Sequence, residues 1–169
     1  MKGPPQLTGD RSLLVAAHLR RNAGAVRRAR AAVDRLDLPV QYPERGFDLS
    51  LLVSELVANA IKHGGAADSS ILLSVEQFGT TLRVTVEDTG PFFTSAPTER
   101  PAQDATSGRG LYLLTALADR WGIERRDGNR AWFELDLAGC RPALGRESAA
   151  GRRYAISTDS ATGAEAGGP

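Results

Sequence analysis

Between residues 49 and 60 the apolar side chains Leu49, Leu52, Val53, Leu56, Val57 and Ala60 fall at i, i+3, i+4, i+7, i+8 and i+11. That spacing holds all six on one side of a 3.6-residue helix, as one broad apolar stripe. Such a helix must pack on something flat and apolar. Asp48 is placed to cap it, with Phe47 positioned to pack on Leu52, and Pro39 to Gly46 reads as the loop before it. His63-Gly64-Gly65 ends it.

The flat partner is legible further along. Ile71, Leu73 and Val75 alternate with Leu72, Ser74 and Glu76, and Leu82, Val84 and Val86 alternate with Arg83, Thr85 and Glu87. These are two strands joined by a short turn at Gly79. Trp121 to Arg126 and Arg130 to Leu137 form a second pair around Asp127-Gly128-Asn129. Helical spacing returns at Leu111, Leu114, Thr115 and Ala118. An earlier helix spans Ala23 to Leu36, capped by Asn22, with Val26, Ala29, Ala32 or Val33, and Leu36 inward. Its other face carries Arg27, Arg28, Arg30 and Arg35, either as a solvated surface or as a docking surface for an acidic protein. Ser12 to Leu19 is a strand or the start of a helix. The expected fold is α+β: a two-layer sandwich of mostly antiparallel sheet with helices on one face.

A chain of 169 residues is long enough for one domain with a substantial core. Its expected limits are residues 12–138, after a flexible start at 1–11. From Gly139 to 169 the chain is Gly, Ala, Ser and Arg with little to bury, the composition of a disordered tail. A formal net charge of +1 gives no electrostatic case for binding nucleic acid. The single cysteine, Cys140, fits a reducing compartment. There is no signal-peptide core and no apolar run near the ~20 residues that span a bilayer, so a cytoplasmic protein without membrane contact is expected.

Three segments carry chemistry. Glu55, Asn59 and Lys62 lie at i, i+4 and i+7, within roughly 60° of one another around the helix axis. The carboxylate suits a general base, the Asn amide oxygen suits Mg²⁺, and Lys62 can offset phosphate charge. Asp88 shares the strand parity of Leu82, Val84 and Val86, so a carboxylate ends an inward apolar row. Either it caps its own turn, or donors such as an adenine amino group and a water satisfy it, with Gly90 allowing a flat base to come close. Gly108-Arg109-Gly110, at a helix start, offers backbone N–H groups to phosphate, with Arg109 beside them for phosphate or a partner. The Pro-containing stretch from 91 to 107 has the length of a lid or binding loop.

Other chemistries fit less well. His18 and His63 lack partners at zinc-ligand spacing, and there is no P-loop. Ser54 and Ser107 have no evident His–Asp relay. Asp88-Thr89-Gly90 also occurs in aspartic proteases, but here Pro91 follows instead of a small hydroxyl residue.

Taken together, the segments resemble a known family. Glu55-Leu56-Val57-Ala58-Asn59-Ala60-Ile61-Lys62-His63-Gly64 is similar to the N box of GHKL-type ATPases, in the version found in bacterial anti-sigma factor serine/threonine kinases. Val86 to Pro91 resembles the adenine-holding box, and Ser107 to Leu114, with Ala118-Asp119-Arg120-Trp121-Gly122, the glycine box and the helix after it. The resemblance implies ATP and Mg²⁺ as cofactors, Glu55 as catalytic base and Asn59 as the metal ligand. It implies a nucleotide-binding set of Asn59, Lys62, His63, Asp88, Gly90, Gly108, Arg109, Gly110 and Leu111, under a lid at 91–107. It further implies binding to a sigma factor, phosphorylation of an anti-anti-sigma protein, and often a homodimer. Histidine kinases usually carry Asn where Glu55 stands, which favours the anti-sigma branch. The alternative is a non-catalytic ATP-binding module that sequesters a partner.

Overall fold

The computed structural model describes residues 10–36, 38, 42–65, 69–90, 109–125, 128–138 and 153–158. In chain order the elements are β1 (Arg11–Arg20), α1 (Ala25–Val33) running into a 3₁₀ turn (Asp34–Leu36), α2 (Pro43–His63), β2 (Ser70–Phe78), β3 (Thr81–Asp88), α3 (Arg109–Leu117), β4 (Arg120–Arg125), β5 (Asn129–Asp136) and β6 (Arg153–Thr158). One sheet has the order β1-β2-β3-β5-β4-β6. Its first five strands pair antiparallel, and β6 pairs parallel with β4. Gly79, at φ 57°, takes the turn between β2 and β3 that a Cβ would strain.

Strand alternation separates two faces. Ile71, Leu73, Val75, Leu82, Val84, Val86, Phe133 and Leu135 are buried on the face that receives the helices. All six residues of the α2 stripe are buried against them, as the periodicity requires. Burying such side chains stabilises by roughly 1.5–3 kcal/mol each before chain entropy is counted. On the opposite face the Arg83 guanidinium lies 5.1 Å over the Trp132 ring and pairs with Glu134, tying β3 to β5. Among the described residues no helix is long and apolar enough to cross a membrane.

Several local expectations are corrected. Helix α2 starts at Pro43, five residues before Asp48, because proline fits the first turn, where no backbone N–H bond is needed. Asp48 therefore lies inside the helix, fully buried, with its carboxylate 3.9 Å from the Arg45 guanidinium. Phe47 is 67% exposed, so the expected staple on Leu52 does not form. In α1 the N-cap is Gly24, and Asn22 instead accepts from the Gly24 N–H and the Arg28 guanidinium. The inward row of α1 is Ala25, Ala29 and Val33. Ser12 to Leu19 lies in β1. Of the tail read as disordered, Arg153–Thr158 forms a strand, a run whose Tyr, Ile and Thr favour extended backbone. The lid segment 91–107 and Gly108 lie outside the described residues.

Candidate functional site

Helix α2 is the element around which the site assembles. Glu55 and Asn59 are half-buried on its edge, beside the first turn of α3. A Cβ placed on Gly110 would stand 2.8 Å from Asn59 Nδ2 and 3.2 Å from Glu55 Oε2. The carboxylate, the amide and the start of α3 therefore meet with no room for a side chain between them. Lys62, one turn beyond Asn59, is exposed, as is His63. Leu111 is buried in the core beneath α3.

The C-terminal end of the same helix meets the turn after β3. A Cβ on Gly90 would come within 2.4 Å of Gly64 Cα and 2.5 Å of the His63 carbonyl oxygen, and one on Gly65 within 2.7 Å of Thr89 Oγ1. The requirement for glycine at 90 is thus a backbone-to-backbone contact between α2 and the β3 turn. From Glu55 to His63 the rise along α2 is about 12 Å. Along that distance the helix touches both the start of α3 and the Asp88-Thr89-Gly90 turn.

Asp88 is half-buried and held in place. Its Oδ1 accepts the Gly90 N–H at 2.6 Å and the Asn129 side-chain amide at 3.1 Å. The Asn129 amide also donates to the Gly90 carbonyl at 3.0 Å. Asp88 and Asn129 are the last register pair between β3 and β5, which is why their side chains meet. The carboxylate thus caps its own turn through Oδ1. Asn129, a turn residue by sequence, is also a support of the Asp88 turn. Its role depends on β3 pairing with β5, a contact across 41 positions with no local signal.

A cavity of about 400 Å³ opens near this turn, but not beside Glu55 and Asn59. It is lined by His18, Leu72, Glu87 and Arg130, which form one row across four strands on the face opposite the helices, together with Asp88, Thr89 and Asn129. Glu55, Asn59 and Gly110 meet elsewhere, and none of the three lines this groove. Among the described residues no group of three His, Cys, Asp or Glu could hold a metal ion on its own. The donors at the centre are one carboxylate and one amide, which suit Mg²⁺ because it keeps phosphate oxygens and waters as most of its ligands.

The Histidine kinase-like ATPase domain family matches residues 14–135. No curated protein matches the chain. Among solved structures it is similar to the histidine kinase domain of the blue-light activated histidine kinase EL346 from Erythrobacter litoralis, at 22% identity and a TM-score of 0.42. That match covers 68% of this chain and 60% of the other. With the family match spanning most of the sequence, from β1 to β5, the chain belongs to the histidine kinase-like ATPase domain family.

Proposed function

We propose that this domain binds ATP with Mg²⁺ and transfers its terminal phosphoryl group to a serine or threonine of a protein partner, as an anti-sigma factor kinase acting on an anti-anti-sigma protein. The observation that carries the reading is the meeting of Glu55, Asn59 and Gly110, where a carboxylate and an amide face the first turn of a helix. Asn59 would hold the metal through its amide oxygen. Bound with ATP, the ion supplies charge neutralisation at the phosphate oxygens. Asp88 would accept from the adenine amino group, its carboxylate fixed by Asn129 and the Gly90 N–H. The backbone N–H groups at the start of α3 would face the phosphates. Glu55 would orient the acceptor hydroxyl and take its proton, so that catalysis comes mainly from positioning.

The Glu at position 55 supports the serine/threonine branch, and the sigma factor and homodimer assignments rest on the resemblance of the N box alone. The test is phosphoryl transfer from labelled ATP to a cognate anti-anti-sigma protein. Glu55→Ala is expected to abolish transfer while ATP binding persists. Transfer at the parent rate by that variant would remove Glu55 from its role.

A further inference from the structure

The family match ends at residue 135, within β5, and in the sheet it covers β4 is the last strand after β1-β2-β3-β5. A strand at a sheet edge leaves a row of backbone N–H and C=O groups unpaired, and folded chains ordinarily blunt such edges with charge, proline or a bulge. The opposite edge follows that rule: β1 has an irregularity between Leu13 and Val15 and carries exposed Arg11, His18 and Arg20. The β4 edge does not. Its register with β5 is unbroken from Arg120 to Arg125, and Trp121, Gly122, Ile123 and Glu124 are buried in succession. It contains no proline, and its arginines stand only at its two ends. β4 thus has the build of an inner strand and needs a neighbour on its outer side.

That neighbour is β6, which pairs with β4 from Arg120↔Arg153 to Arg125↔Thr158. β6 is joined to the domain more loosely than the other strands. Its pairing is parallel, which is slightly less stable per residue than antiparallel pairing. Its one extensive neighbour is β4, whereas β1 also packs on α1, and β3 and β5 also pack on α2. It lies beyond the family match, with residues 137–152 between it and β5. Tyr154 and Ile156 take the register positions of the buried Trp121 and Ile123. We propose that the outer edge of β4 is an acceptor for an extended peptide strand, with Arg153–Thr158 as its resident, exchangeable occupant in cis. In strand addition of this kind main-chain hydrogen bonds supply the affinity and alternate side chains the selectivity. A segment that replaces β6 therefore needs apolar residues at alternate positions, the pattern of Tyr154 and Ile156. The link through 137–152 gives β6 the advantage of a tethered competitor. Strand acceptance at this edge is independent of nucleotide and of phosphoryl transfer.

The test uses the full chain and an Ala155→Pro/Ile156→Pro variant of it. Proline lacks the N–H of a ladder bond, and adjacent strand residues face opposite sides, so one of the two falls on the β4 side. Alternate β4 amides face β5 and β6. In NMR hydrogen exchange the outer amides of β4 are expected to be protected in the parent and to exchange at least about tenfold faster in the variant. The amides facing β5 should keep their protection. A fluorescein-labelled peptide of residues 152–159 should bind the variant saturably, and the parent at least about tenfold more weakly, because the tethered strand competes. The same peptide carrying both prolines should bind neither. Unprotected outer amides in the parent, equal exchange in the two proteins, equal peptide affinity for both, or no saturable binding to the variant would overturn the proposal. So would loss of the β5-facing protection in the variant, which would make β6 an integral part of the fold. Outer-amide protection that rises with protein concentration would place a second copy's strand on the edge and overturn the assignment in cis.

Discussion

The Asn129 side-chain nitrogen donates at once to the Asp88 carboxylate, at 3.1 Å, and to the Gly90 carbonyl, at 3.0 Å. One amide on β5 thereby fixes both the carboxylate and the backbone of the turn that would read adenine. Asn129→Ala removes both bonds of a buried donor, and each lost hydrogen bond costs about 0.5–1.5 kcal/mol. The expected outcome is a stability loss of about 2 kcal/mol in urea unfolding, with ATP affinity falling at least about tenfold. Unchanged ATP affinity would mean that Asp88 needs no support from β5.

Gly110→Ala places a methyl group 2.8 Å from the Asn59 amide and 3.2 Å from the Glu55 carboxylate. Both neighbours are side-chain ends that can move, so the fold tolerates the change, at a cost of about 1 kcal/mol or less. What moves is the reactive edge itself. Phosphoryl transfer should drop far more than thermal stability does, and a parallel loss of the two would indicate a purely structural glycine.

At Gly90 the balance reverses. A methyl group there meets the Gly64 Cα at 2.4 Å and the His63 carbonyl at 2.5 Å, both backbone atoms. Gly90→Ala must push α2 away from the β3 turn, and overpacking of this kind costs about 1–3 kcal/mol or more. Chemical denaturation should show a lower midpoint with the slope unchanged. A midpoint equal to that of the parent would show that the two segments are not in contact.

The buried Asp48 faces Arg45, and Arg45 also reaches Asp119 at 3.2 Å, at the corner between α3 and β4. Arg45→Ala leaves a fully buried carboxylate without that guanidinium. Stranding a buried charge costs about 3–5 kcal/mol, and the 3.9 Å separation together with the contacts Asp48 keeps puts this loss lower, at about 1–3 kcal/mol. Equilibrium unfolding at neutral pH measures it. A loss below about 1 kcal/mol would show that the Arg45–Asp48 pair adds little to stability.

Much of this architecture is legible in the sequence where short-range periodicity governs. The α2 stripe, the alternation in β2 and β3 and the hairpin around Gly128 each depend on neighbours a few positions apart. Asp48 has the chemistry of a cap, but beside Arg45 it is a buried ion-pair partner, and Pro43 is the signal for the start of α2. Asn129 was missed because its partners belong to another strand. The need for glycine at 90 that the structure shows is the approach of the end of α2. In each case the deciding contact is tertiary and leaves no pattern along the chain.

The central claim is that Asp88 reads ATP at a site completed by α2 and α3. Calorimetric titration of the full chain with ATP, with and without Mg²⁺ and beside Asp88→Ala, measures this most directly. The expected result is saturable binding that Mg²⁺ strengthens and Asp88→Ala removes. No saturable binding under either condition, or parent affinity in Asp88→Ala, would contradict it.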